Sequence, residues 1–171
     1  MQAKKITDKT RLYLGDMNKA KYSDWEIFNG INDALRVLAD ESAKNKGALF
    51  RDRETITISS LNAALLPERF ISCIKAFDSS GAELFNVHND DPAAGEFSIN
   101  GINIMSGEAS LVLWYFKYPD QISGFESEID MPESMIVPIA KVAASSIKQD
   151  DTQMVNMARY ALGLSTEDSG K

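Results

Sequence analysis

The feature that most constrains this chain is a change in the spacing of its apolar residues, from helical to strand-like and back to helical. Phe28, Ile31, Leu35 and Leu38 recur at the spacing of one helix face. From about residue 53 to 118, short segments rich in β-branched and aromatic residues replace that spacing, and helical spacing then returns. This order predicts an α+β fold, because a βαβ protein would alternate its elements throughout.

A helical core is predicted on both sides of the strand-like region. Ser23-Asp24-Trp25-Glu26 is a capping box, which marks a helix start. A later helix is expected to begin or kink at Pro138, because a proline inside a helix removes a hydrogen bond and clashes with the preceding turn. Asp150 can cap the last helix. We expect helices near residues 24–43, 138–149 and 151–162.

The region of about 53–118 predicts an antiparallel β meander inserted into this core. Residues 54–58 alternate between polar and apolar side chains, and residues 70–77 are rich in apolar and β-branched side chains. Asn100-Gly101 between two short apolar runs is the strongest hairpin signal in the chain.

The first residues of the chain differ from the rest in charge, and the last seven contain no apolar residue. Residues 1–22 hold six Lys/Arg against two Asp/Glu and predict a basic N-terminal arm with a short helix between Thr7 and Leu14. Such charge runs usually face solvent, and contact with nucleic acid or a membrane is the alternative. Residues 165–171 predict a flexible C-terminal tail. With these ends included, residues 1–171 predict a single domain.

Composition limits the classes of partner and compartment. The net charge of −7 disfavours a protein that grips nucleic acid through its phosphates. One cysteine, Cys73, excludes an internal disulfide and fits a reducing compartment. We expect no membrane contact, because no apolar run approaches the roughly 18 residues that a spanning helix needs.

Isolated residues suggest chemistry, but none has the neighbours that the chemistry needs. His88 precedes Asn89-Asp90-Asp91, which offers metal-capable side chains but is typical of a turn. No second imidazole or spaced set of carboxylates follows. We therefore expect no metal site and no bound cofactor.

The nucleophile candidates are equally isolated. Two S-x-x-K patterns, starting at Ser72 and Ser145, lack the companion motifs of the hydrolases that use them. Cys73 lies in a predicted strand, where a buried thiol behaves as a small apolar residue. A small hydrolase using Ser72, Ser145, Cys73 or His88 is the least favoured class, and we expect no catalytic residues and no enzyme activity.

The segment from Trp114 to Tyr118 predicts a strand that is covered on both faces. Alternation puts Trp114, Phe116 and Tyr118 on one face and Leu113 and Tyr115 on the other. Apolar residues on both faces indicate core or a subunit interface for Trp114, Phe116 and Tyr118. A platform on which nucleic-acid bases stack is the alternative.

Several segments, in their order and spacing, together resemble the head-to-tail adaptor proteins of short-tailed and related bacteriophages. The resemblance covers most of the chain. It rests on residues 11–16 (Arg-Leu-Tyr-Leu-Gly-Asp), the helix from Trp25 with residues 32–36 (Asn-Asp-Ala-Leu-Arg), residues 66–70 (Leu-Pro-Glu-Arg-Phe), the strand ending in Tyr118-Pro119, and residues 130–133 (Asp-Met-Pro-Glu).

This resemblance implies a helical core carrying a β domain and no catalytic activity. It implies a dodecameric ring of copies bound to the portal protein, sealing the packaged DNA and offering the attachment site for a downstream tail protein. DNA would pass through the channel without specific binding. The protein would be made in the host cytoplasm and reside in the virion. The residues expected to dock on the portal are Leu162, Leu164, Ser165, Thr166 and Glu167. The alternative is a non-catalytic protein- or peptide-binding module on a helical arm.

Overall fold

Four α-helices and seven β-strands form the part of the chain that the computed structural model describes, residues 1–59 and 62–164. The helices are α1 (Ala3–Leu14), α2 (Asp24–Lys44), α3 (Ile136–Ile147) and α4 (Asp151–Ala161). The strands are β1 (Arg51–Thr57), β2 (Ala63–Leu65), β3 (Phe70–Asp78), β4 (Phe85–Asn86), β5 (Glu96–Asn100), β6 (Asn103–Ser106) and β7 (Ser110–Lys117). All strands lie between α2 and α3, so the predicted α+β class with an inserted β region is confirmed.

The chain divides into two compact units. The helical unit combines Met1–Leu49 with the segment that begins at Tyr118, and the β unit is Phe50–Lys117. No helix of residues 1–59 or 62–164 combines the length and apolarity needed to cross a bilayer.

α2 is the longest helix of the helical unit. Its capping box is present: Glu26 N–H donates to the Ser23 hydroxyl, and Glu26 accepts from the Ser23 backbone N–H at 2.8 Å. The buried face carries Ile27, Ile31 and Leu35 among others, in agreement with the predicted apolar spacing.

The closing helices lie within two residues of their predicted bounds. α3 begins at Ile136, before Pro138, and a 3₁₀ turn at Glu133–Met135 leads into it. Pro138 therefore lies in the first helical turn, where backbone N–H groups have no intrahelical partner, and its missing N–H breaks no helical bond. Asp150 caps α4 by accepting from Gln153 N–H at 2.9 Å.

The N-terminal residues form a helix that packs into the helical unit and is longer than the short helix predicted. α1 starts at Ala3, four residues before the predicted start at Thr7, and buries Ile6 and Leu14. Backbone N–H of Ala3 donates to the carbonyl of Ser127 at 2.9 Å. The lysines of α1 face outward, so the charge count alone hid an amphipathic helix.

The β unit contains two sheets rather than strands paired in chain order. One sheet has the order β1-β7-β3, and the other has β2-β6-β5-β4 with a short parallel β4–β5 pair. β7 is apolar on both faces and takes the central position, whereas the charged strand β1 forms an edge. The predicted hairpin at Asn100-Gly101 joins β5 to β6, with Gly101 at φ 60°.

The two sheets share one apolar core. Leu111, Leu113 and Tyr115 of β7 point into it, together with Phe97 of β5 and Ile104 of β6. The alternate residues of β7 lie on the opposite face of their sheet.

A buried charge network joins the end of α1 to the start of α2. The Arg11 guanidinium donates to Asp16 Oδ2 and to Asp24 Oδ1, each at 2.7 Å, and to the carbonyl of Tyr22 at 2.9 Å. Asp16 also accepts from backbone N–H of Lys21 at 2.9 Å. Gly15, at φ 67°, lets the chain turn between these partners.

The Asp16 carboxylate should make stability depend on acid pH. Burial alone would raise the pKa of Asp16, but backbone N–H groups and the Arg11 guanidinium outweigh burial and lower it. The folded pKa is then below the unfolded value of about 3.9. The stabilisation is complete above that value and is lost as pH falls through the folded pKa.

We therefore expect Asp16→Asn to unfold at lower urea concentration than the wild type near neutral pH, with a gap that narrows as pH falls to about 3. Urea midpoints measured across this range test it. Asp8→Asn, an exposed change on α1, is the control. A gap that stays constant with pH would contradict the role given to the carboxylate.

Candidate protein-docking surfaces

The fold does not bring together the residues considered as possible nucleophiles or metal ligands. His88 is exposed between β4 and β5, and Lys75, the partner of Ser72 in its S-x-x-K pattern, pairs with Glu83 at 2.8 Å instead. Ser145 donates to the carbonyl of Lys141 at 3.2 Å, one turn earlier in α3. Within residues 1–59 and 62–164, no group of three or more His, Cys, Asp or Glu residues could hold a metal ion.

Cys73 lies on β3 against the apolar core of the β unit. Burial raises the pKa of its thiol to about 11. Since the thiolate is the nucleophile, the folded protein holds little reactive form at neutral pH.

The three residues predicted as core or interface do not share one surface. Phe116 is buried in the β unit, and Trp114 on the same face is 40% exposed, with its ring 6.3 Å from that of Phe77. Tyr118 follows the last residue of β7 and belongs to the helical unit, where its hydroxyl donates to Asp40 Oδ1 at 2.7 Å. That hydrogen bond raises the pKa of Tyr118.

The predicted portal-docking residues follow the end of α4. Leu162 caps the helix, and the backbone N–H of Leu164 donates to the carbonyl of Arg159 at 2.9 Å after Gly163 turns at φ 71°. Ser165, Thr166 and Glu167, and with them the predicted flexible tail, lie outside the described residues.

A groove between α3 and α4 is one concave surface of the helical unit. The α3–α4 groove has a volume of about 530 Å³ and is lined by Val137, Pro138 and Lys141 of α3 and by Met157 and Tyr160 of α4, among others. Tyr160 is 79% exposed and Val137 39% exposed, so large apolar groups at the rim face solvent. Exposed apolar surface next to polar residues, here Lys141, Gln153 and Asn156, is typical of a protein-binding site.

The groove continues towards α1 through a smaller cavity of about 170 Å³. This extension shares Lys141 and Met157 with the groove and adds Tyr13 and Lys148. Lys141 Nζ lies 5.9 Å from the centroid of the Tyr13 ring. The ammonium groups of Lys141 and Lys148 form no ion pair with any described carboxylate, and neither cavity is lined by Asp or Glu. The groove is therefore apolar with a positive edge.

A second exposed surface surrounds Trp25 in the first turn of α2. The Trp25 side chain is 71% exposed, and a shallow depression of about 210 Å³ beside it is lined by Glu26 and Asp33 but by no Lys or Arg. The Ser23 hydroxyl and backbone N–H donate to Glu26 and lower its pKa, so it stays charged. Asp33 accepts from the Ser146 hydroxyl at 2.9 Å. We call these three residues, Trp25, Glu26 and Asp33, the Trp25 surface.

Comparison with known proteins adds no assignment to these surfaces. No family model matches the chain, and a search of curated proteins finds no match.

The groove and the Trp25 surface were not found from the sequence. In the sequence of α4, Met154, Val155 and Ala158 lie on one helix face, and Tyr160 lies off that face. An aromatic residue on the polar side of a helix was the available signal for the groove. Trp25 gave the same kind of signal, because it lies between two acids inside a capping box.

We expect Cys73 to react slowly with a disulfide reagent such as Ellman's reagent in the folded protein. With its pKa at about 11, the thiolate fraction near pH 8 is on the order of a hundredfold smaller than for an unperturbed thiol of pKa about 8.5. The rate in buffer compared with the rate in urea gives the measurement. Equal rates would show an accessible, reactive thiol and reopen the question of a chemical role.

Proposed function

We propose that this protein is a structural, non-catalytic head-to-tail adaptor of a tailed bacteriophage. Copies form a ring, expected to be dodecameric, on the portal protein at the vertex of the filled head. The ring seals the packaged DNA and offers the attachment site for a tail protein. Its working location is the virion, after synthesis in the host cytoplasm.

The observation that carries the proposal is that the β unit is inserted in the chain between the two segments that form the helical unit. Phe50–Lys117 interrupts the chain between α2 and α3, and the closing helices return to the helices that precede the insertion. The resemblance to the adaptors implies this arrangement of a helical core that carries a β domain.

Two separate parts of the resemblance meet in the helical unit, which supports the proposal further. The guanidinium of Arg36, from the Asn-Asp-Ala-Leu-Arg segment, lies 5.8 Å from the centroid of the Tyr118 ring, from the Tyr-Pro segment. Tyr118 also donates to Asp40, one helical turn after Arg36. These contacts fix the point where the chain re-enters the helical unit.

The Arg11-to-Asp16 segment of the resemblance also has a structural role. Its first and last residues form the buried ion pair, and Gly15 supplies the left-handed turn between them. Arg11, Gly15 and Asp16 of this segment are therefore required by the fold.

The charge of the chain suits the proposed channel. A net charge of −7 keeps a DNA duplex from adhering, because like charges repel across a narrow passage. DNA is then a passing partner, and the portal, the tail protein and the other copies are the binding partners.

The direct test is binding to the portal protein encoded in the same genome. We expect the purified protein to sediment as a monomer, or weakly associated, when dilute, and to sediment with portal rings when these are added. Electron microscopy should then show an added ring of density on the portal. Absence of binding would contradict the adaptor function, and peptide binding through the α3–α4 groove would favour the binding module instead.

We expect Leu164→Glu to weaken portal binding by about tenfold or more, since a charge replaces an apolar residue at the proposed docking end. Co-sedimentation with portal rings at increasing protein concentration measures the effect. Leu65→Glu is the matched control, because Leu65 is an exposed leucine of the β unit. Equal losses in both variants, or none in Leu164→Glu, would place the docking site elsewhere.

A further inference from the structure

The α3–α4 groove and the Trp25 surface of one protomer are complementary in charge. The groove and its extension carry Lys141 and Lys148 without a carboxylate among their lining residues. The depression at the Trp25 surface carries Glu26 and Asp33 without a cation among its lining residues. Opposite charges on two patches of the same chain favour contact between patches on different copies.

The lysines of the groove and its extension differ from Lys44 and Lys75 and resemble Lys4 and Lys9, which also form no ion pair with a described carboxylate. Lys75 pairs with Glu83 at 2.8 Å and Lys44 with Glu41 at 2.9 Å, so their charges are largely compensated within the chain. Lys141 and Lys148 have no such partner among the described carboxylates, so their positive charge remains available to an acidic group from outside.

One surface also offers an exposed aromatic side chain and the other a cavity. Trp25 stands out from the start of α2 with most of its indole in solvent, and the α3–α4 groove is the larger of the two cavities that share Lys141. Pockets of about 300–1,000 Å³ bury most of the surface of a drug-sized molecule, which is larger than one indole ring. Aromatic anchors in such pockets supply most of the binding energy of many interfaces.

We propose that Trp25 of one copy inserts into the α3–α4 groove of a second copy, with Glu26 and Asp33 facing Lys141 and Lys148. Different patches meet in this contact, so it is heterologous and propagates from copy to copy, as a ring requires. The biological role of the contact rests on the proposed function, whereas the contact itself does not. A single anchor buries less area than a standard stable interface, so the isolated pair should be weak.

Variants on the two sides test the contact separately. Trp25→Ala removes the anchor, and Tyr160→Glu adds a negative charge at the rim of the groove; both side chains are mostly exposed, so the fold should tolerate the changes. We expect each variant alone to weaken self-association by about tenfold or more in sedimentation at rising concentration. Phe85→Ala, which removes an aromatic side chain of the β unit that is 75% exposed, is the matched control and should associate as the wild type does.

Mixing the two variants gives the sharper result. Trp25→Ala keeps an intact groove and Tyr160→Glu keeps an intact Trp25, so an equal mixture should form heterodimers that do not grow further. Salt should weaken this association, because charge pairs at the surface are screened. A mixture that stays monomeric while the wild type associates would overturn the proposal. The proposal would also fail if Trp25→Ala alone associated as strongly as the wild type.

A cross-link provides a second measurement that does not depend on affinity. In a Cys73→Ser background that keeps both Trp25 and Tyr160, Asp33→Cys mixed with Lys148→Cys should form an intermolecular disulfide under mild oxidation, and either variant alone should form far less. Absence of the cross-link in a mixture that associates would overturn the placement of Trp25 in the groove.

Portal binding separates this proposal from the proposed function. Trp25→Ala should still bind portal rings, with the cooperativity between copies reduced. If the wild type self-associates through Trp25 but never binds portal, the adaptor function fails and the contact stands. If the wild type stays monomeric alone and Trp25→Ala fills the portal as the wild type does, the contact fails and the adaptor function stands.

Discussion

The packing of α2 against α3 at Gly30 is the contact on which the helical unit depends. A Cβ atom at Gly30 would lie 2.5 Å from Cγ1 of Ile147 and 3.2 Å from the carbonyl oxygen of Ala143, so only glycine allows this approach. α3 also packs against α1 and α4, and its buried sides are rich in small residues such as Ala140. α3 follows the β insertion in the chain. The contacts of α1 and α2 with α3 therefore join residues that are far apart in the sequence.

The parts of the fold that the sequence predicted are those set by neighbouring residues. The capping box at Ser23 fixed the start of α2, Asp150 fixed the start of α4, and Asn100-Gly101 fixed the β5–β6 hairpin. Each signal is a hydrogen bond or a backbone preference within a few residues, so it can be recognised without the rest of the chain. The α+β class followed because the change in apolar spacing is itself local.

The features that the sequence did not predict depend on distant partners. Alternation placed Tyr118 on the face of Trp114 and Phe116, but β7 ends at Lys117, where its pairing with Phe70 ends. The exposure of Trp25 likewise depends on which side of α2 receives α3, and a capping box gives no information on that. The candidate surfaces were missed for this reason: exposed apolar groups are recognised only when the neighbours that could have covered them are known.

Weak complementary surfaces on an acidic chain suit a subunit that must not assemble early. Net charge repels free copies of the protein from one another, and a contact made by one aromatic anchor overcomes that repulsion only partly at cellular concentrations. A template that holds several copies side by side changes the balance, because each further contact then forms within one complex at an effective concentration that can reach the millimolar range. In the proposed adaptor, the portal would be this template, so that the contact between Trp25 and the α3–α4 groove would become stable only where the head is to be sealed.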